Sequence, residues 1–208
     1  FYSAFTAFLG FRVNEDEYKV MGMSGYGKPI FKDKMFSLFS FSEKGSFHLD
    51  QRLFNFLTPT SLPYTQQMIE EYGTPRVPES DFDDSEKSRH YANIAASVQA
   101  CTEEVLVEIA KRAKNYLRLD AICLAGGVAL NGLANKRIRR EVSQNLYVQP
   151  ASGDSGTSMG AAQFYYYHVL NQNRTEGLNS VYLGPSYSDE EIENTLKQTS
   201  TFNYKYYS

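Results

Sequence analysis

From about residue 89 to 118, apolar side chains return every three or four positions, at Ile94, Val98, Cys101, Val105, Ile109, Ala113 and Leu117. That spacing predicts one long helix with a single face toward a core. Phe1, Phe5, Phe8 and Leu9 repeat the pattern on a smaller scale, predicting a helix over roughly 1–10 that Gly10 terminates. The pattern between these helices is weaker. "NEDEYKVMGMSGYGKP" reads as close-set charges followed by a turn punctuated by glycine, and residues 31–65 alternate loosely around a hairpin turn at Lys44-Gly45. Residues 73–88, with two prolines and the acidic run "ESDFDDSE", read as a solvated connector and helix start. After the long helix the rhythm changes. "AICLA" (121–125) predicts a short buried strand, "GGVALN" a turn and 132–143 a basic helix. "LYVQP" predicts a second strand, "ASGDSG" a second turn and 156–170 a third helix. This alternation argues for an α/β domain with its loops gathered at one sheet edge. "SDEE" at 188–191 is a capping box opening a helix to about Gln198, and "LGPSYS" before it reads as a linker.

Composition narrows the class. An apolar fraction of 42% over 208 residues suits a chain that buries a core. Lys and Arg number 21 against 24 Asp and Glu, so no electrostatic bias draws the chain to phosphate polymers or anionic lipid, and neither a nucleic-acid nor a membrane partner is expected. No apolar run reaches the roughly 18 residues of a membrane span, and no signal-type segment opens the chain, so a cytoplasmic location is expected. Cys101 and Cys123 show no CxxC spacing and are expected to be reduced core residues. Phe1 stands already inside a helical pattern and "TFNYKYYS" reads as a strand just beginning, so the chain is expected to be a piece of a longer protein.

Candidate chemistry lies in three glycine-rich stretches. In "CLAGGVALNG", Gly126 and Gly127 follow a strand and precede a helix, where bare backbone N–H groups can approach an anion. Asn131 there either recognises a nucleoside or simply caps the helix. In "PASGDSGTSMGAA", Asp154 is the one ionisable side chain; it either caps the following helix or binds a hard cation. In "MGMSGYGKP", Gly22, Gly25 and Gly27 stand beside Lys28, an arrangement open to phosphate contact and equally to an ordinary surface turn. His48, His90 and His168 show no metal-binding spacing.

Together, "DEYKVMGMSGYGKP", "LAGGVALNGLANKRI" and "VQPASGDSGTSMGAA" resemble, in order and spacing, the carbamoyltransferases of the nodulation and antibiotic-modifying (NodU) type; the resemblance covers most of residues 1–185. It implies a lobe of the actin-like ATPase (ribonuclease H-like) fold, a mixed sheet with flanking helices, over residues 1–182, with 183–208 a linker and the start of a C-terminal domain. It is similar to the enzymes that attach threonylcarbamoyl groups to tRNA, where "GGVA.N" and a "D.G" turn recur. The implied activity is transfer of a carbamoyl group from carbamoyladenylate, made from carbamoyl phosphate and ATP in a separate domain, to a hydroxyl of a small-molecule acceptor. By position, Gly126, Gly127 and Asn131 would contact adenosine, Gly22, Gly25, Gly27 and Lys28 would line the nucleotide cleft, and Asp154 would be the catalytic ligand of an iron-type divalent metal. The family's histidine ligands and its adenylate-forming domain have no counterpart here, and Ser24 stands where Ala is expected. The resemblance therefore implies a chain inactive without its missing N- and C-terminal parts. A non-catalytic ATP-binding scaffold or regulator on the same fold is the alternative. A sugar-kinase relative would need an acidic base beside a sugar pocket, and the sequence offers none.

Overall fold

The computed structural model describes residues 1–56, 62–175, 177, 180, 182, 184–199 and 203–205. In chain order the elements are α1 (Tyr2–Phe8), α2 (Glu17–Ser24), α3 (Lys32–Phe36), β1 (Phe39–Phe41), β2 (Phe47–Leu49), α4 (Gln66–Tyr72) and α5 (Glu86–Leu117). They continue with β3 (Ile122–Leu124), a 3-10 turn (Gly127–Leu130), α6 (Gly132–Glu141), β4 (Leu146–Val148), a second 3-10 turn (Asp154–Gly156), α7 (Thr157–Phe164), a π-helical turn (Tyr165–Val169) and α8 (Asp189–Gln198). The chain divides into two compact units, Phe1–Ala161 and Ala162–Ser208, the division falling along the chain inside α7.

In the first unit α5 serves two cores. Its N-terminal half buries Ile94, Val98 and Cys101 completely, against Phe5 and Phe8 of α1 and Val20 of α2. Burial pushes the Cys101 thiol up to about 12, leaving it an inert apolar filler. Further along, Val107 and Ala110 meet Ile138 of α6 beneath β3 and β4. Because the helix changes partners midway, the predicted single stripe does not run to its end: Leu117 is 59% exposed. The start of α5 is fixed locally. Ser85 Oγ accepts from the Ser88 amide, and Asp83 accepts from the Ser85 amide and the Ser88 hydroxyl, bonds that hold its carboxyl down at about 2. At α1 the expected glycine stop is present, with Gly10 at φ +78°.

Three expectations need correction. The stretch read as a glycine turn is largely helix, since α2 runs through Gly22 to Ser24. A glycine inside a helix costs about 1 kcal/mol, and burial of Val20 and Met23 against the core offsets it. In place of one mixed sheet, the described residues form two separate two-stranded sheets: β1–β2 is antiparallel, closed by Gly45 at φ +91°, and β3–β4 is parallel, with α6 as the crossover. Nor is β3 wholly buried. Ile122 and Leu124 pack toward α5 and α6, so the alternation of a strand turns Cys123 outward, and it is an exposed free thiol.

Helix α6 is tied to α5 by charge. Arg137 reaches Glu104 at 3.1 Å and Glu141 at 3.0 Å, while Arg140 reaches Glu141 at 2.6 Å. Hydrogen bonds from both arginines hold the Glu141 carboxyl at about 2, below its ordinary 4.5. A carboxyl lowered on folding contributes stability that is present above the ordinary value and lost as pH falls toward the folded one. The melting temperature should therefore decline between about pH 4.5 and 2, and Glu141→Gln should flatten that part of the profile; an unchanged profile would remove Glu141 from the account.

In the second unit, α8 begins with the expected reciprocal box: Ser188 Oγ accepts from the Glu191 amide and Glu191 accepts from the Ser188 amide. The rings of Phe164 and His168 lie 5.0 Å apart, tilted at 31°, across the π-helical turn. Of the strand predicted at the chain's end only 203–205 are described, and they are not strand; the rest of it, and residue 183 of the linker, lie outside the described residues. Among the described residues no helix is long and apolar enough to cross a membrane.

Candidate functional site

Parallel strands β3 and β4 end side by side, and each hands the chain to a glycine turn. The Gly126 amide donates to the Ser152 carbonyl at 2.8 Å, so the two turns are bonded to one another. Gly126 has φ +95°, a conformation that glycine adopts without strain. Above them opens a cleft of about 590 Å³, whose floor is Gly127, Leu130, Asn131, Gly153 and Asp154. Its opposite wall is Tyr2 of α1, Thr102 of α5, and Glu15, Glu17, Tyr18 and Met21. The size suits a small organic ligand, and the place, beyond the carboxyl ends of parallel strands, is where α/β folds gather ligand sites.

The predicted residues divide into two groups. Gly127, Asn131 and Asp154 share the cleft, with Gly126 directly beside them. Gly22, Gly25, Gly27 and Lys28 are not on it; the same segment reaches the cleft through its earlier residues Glu17, Tyr18 and Met21. Gly27 instead lies on α5, where a Cβ would run into the Ala92 carbonyl, and the Lys28 amide donates to Asn93 Oδ1 at 2.7 Å. Gly22 and Gly25 are exposed.

Each shared residue has a definite state. Asn131 caps α6, its Oδ1 accepting from the Ala134 amide at 3.1 Å, and is paired with Gln99 of α5. Asp154 does not cap: the second 3-10 turn has no side-chain cap, and among the described residues the carboxylate takes no hydrogen bond or ion pair. It stands exposed at the cleft, while its carbonyl accepts from the Thr157 hydroxyl. Among the described residues nothing lies within 4 Å of where a Cβ on Gly127 would stand, so that position is open to a ligand. Tyr2 is held protonated well above its ordinary range, first by burial and then by the charges of Glu17 and Glu103.

Metal fit is a separate matter. Among the described residues no group of three or more His, Cys, Asp and Glu stands together to hold an ion. Asp154 supplies one hard oxygen donor, and these residues by themselves do not make a metal centre. Of the residues that sequence reasoning passed over, Tyr2, Gln99 and Thr102, the last two carried a faint signal: positions 99 and 102 are polar yet sit beside the apolar spacing at 98, 101 and 105, and both prove buried in α5.

A family model described as Carbamoyltransferase N-terminus matches residues 1–163. The chain is 38% identical over 215 residues to an uncharacterized protein of Synechocystis sp., an alignment covering 100% of this chain and 34% of that protein. It is 28% identical to nodulation protein NolNO of Sinorhizobium fredii, over 87% of this chain and 25% of that protein. Nodulation protein NolO of Bradyrhizobium diazoefficiens is also 28% identical, over 85% of this chain and 30% of its own length. The chain thus spans a quarter to a third of these relatives. With the family match running from α1 into α7 and taking in both glycine turns of the cleft, the chain belongs to the carbamoyltransferase N-terminus family.

Proposed function

We propose that this chain is the nucleotide-binding part of an O-carbamoyltransferase that moves a carbamoyl group from carbamoyladenylate, derived from carbamoyl phosphate and ATP, to the hydroxyl of a small-molecule acceptor. The observation that carries the reading is the cleft itself, formed by two glycine turns at the carboxyl ends of adjacent parallel strands in a chain of this family. The βαβ arrangement of β3, α6 and β4 suits a lobe of an actin-like ATPase fold, which is part of the proposal. At the floor, the backbone at Gly127 stands open, while that at Gly153 has the Leu130 side chain beside it; neither glycine adds a side chain of its own to keep phosphate oxygens away. Glu15 and Glu17 on the opposite wall offer carboxylate oxygens that accept from hydroxyl groups of a ligand. With the open glycine backbone at the floor, this favours a nucleotide with phosphates toward the turns and sugar toward α1 and α2. Asp154 offers one oxygen donor to a divalent, iron-type cation whose remaining ligands other parts of the protein would supply, and it is the candidate catalytic residue.

Gly127→Val tests the reading directly. The added side chain enters open space, so the fold should hold, but it occupies the cleft where backbone must meet the ligand. In the intact protein, calorimetric titration with ATP should show affinity falling at least a hundredfold with the melting temperature unchanged. Wild-type affinity in this variant would reject the nucleotide assignment; ATP binding by the wild type without any carbamoyl transfer would instead favour a scaffold or regulatory role.

A further inference from the structure

Gln99 is 3% exposed in the middle of α5, and every hydrogen-bonding position of its amide is occupied. Its Nε2 donates to Glu103 Oε1 at 2.9 Å and to Asn131 Oδ1 at 3.0 Å. Its Oε1 accepts from the Tyr2 hydroxyl at 3.1 Å and from Asn131 Nδ2 at 3.0 Å. The orientation of this network is determined by its ends. The Glu103 carboxyl oxygen is the acceptor of this bond, so the Gln99 atom beside it is the nitrogen. The Ala134 amide can only donate, so the Asn131 atom beside it is the oxygen. These two anchors demand the same pairing between the amides, and the structure has it.

The consequence lies in what Asn131 has left. Its Oδ1 already accepts twice, from Ala134 and Gln99, which exhausts its lone pairs. Its Nδ2 gives one N–H to Gln99, and the other has no partner among the described residues. We infer that Gln99 is a positioning residue for the cleft, holding the Asn131 amide so that its one uncommitted N–H, and not its oxygen, is offered to the ligand. The ligand must then present an acceptor at that point, such as a ribose oxygen, a ring nitrogen of a base or a phosphate oxygen. Tyr2, which also lines the cleft, is fixed by the same amide, so Gln99 joins the α1 wall to the α6 floor. This inference rests on the nucleotide reading of the cleft.

A double-mutant cycle in the intact protein tests it, with ATP titrated calorimetrically into wild type, Gln99→Leu, Asn131→Ala and the double variant. Loss of one hydrogen bond corresponds to about tenfold in affinity. Each single change should weaken ATP by about that factor, and the double variant should be no weaker than Asn131→Ala alone, because Gln99 acts through Asn131. Gln99→Met, of similar length and without a buried charge, guards against a folding failure, with the melting temperature of each variant measured alongside. It loses both bonds to Asn131, so it too should lose about tenfold. Full affinity in Gln99→Met or Gln99→Leu, or additive losses in the double variant, would overturn the positioning role while leaving the cleft reading intact. Absence of ATP binding by the wild type would remove the cleft reading, and the inference with it.

Discussion

Asp154→Asn in the intact protein is expected to abolish carbamoyl transfer and lower bound divalent metal, with the melting temperature held within about 0.5 kcal/mol of equivalent stability, the ordinary range for surface substitutions. The stability half follows from the structure. The Asp154 side chain is exposed, caps nothing, and has no ion pair or hydrogen bond among the described residues, so an isosteric amide removes no contact that holds the second turn together. The activity half follows from the proposed function. A neutral amide keeps an oxygen but loses the charge that makes a carboxylate a strong ligand for a hard cation, and losses of this kind run to several powers of ten in rate. Measuring carbamoyl transfer and metal content on the same preparation separates the two halves. A fully active Asp154→Asn enzyme would exclude this carboxylate as a ligand; an inactive enzyme with full metal content would move its role to the substrate.

Gly27→Ala should be among the most damaging single-methyl changes in the chain, costing about 3 kcal/mol or more in chemical denaturation. The new Cβ would collide with the Ala92 carbonyl and the Asn93 amide, which belong to the backbone of α5 and cannot turn aside as a flexible side chain does. Relief requires the segment after α2 to lift from α5, which would also strain the bond from the Lys28 amide to Asn93 and that from the Phe31 amide to Ser97 Oγ. Gly22→Ala is the control. Gly22 lies within α2 with nothing among the described residues within 4 Å of its would-be Cβ, so alanine should leave stability unchanged or raise it by up to about 1 kcal/mol through helix propensity. Equal effects at the two positions would mean that close packing on α5 is not why residue 27 is glycine.

The contrast between these glycines shows where sequence reading stopped. "MGMSGYGKP" presents Gly22, Gly25 and Gly27 as equivalent members of one turn. In the fold the first is a helix residue facing solvent and the third is a contact point between α2's exit and α5. Composition cannot separate them, because the distinction is made by a helix more than sixty positions further along the chain.

Periodicity and local chemistry by themselves determined the long α5, the stop at Gly10, the hairpin at Gly45, the capping box of Ser188 and Glu191, and the strand–turn–helix repeat from 121 to 170. These are effects of near neighbours: face repetition, a left-handed φ, a hydroxyl within reach of a backbone amide. The pairing of β3 with β4 side by side was foreshadowed by that repeat, and with it the meeting of Gly127, Asn131 and Asp154 on one cleft. Only the tertiary structure decided the rest. It placed Tyr2, Glu17 and Thr102 opposite the glycine turns, turned Cys123 outward, made α5 serve two cores, and closed the Gln99–Asn131 pair across 32 positions of chain. The reason is physical: a buried amide acquires its role from the donors and acceptors packed around it, and in this protein those come from α1, α5 and α6 together.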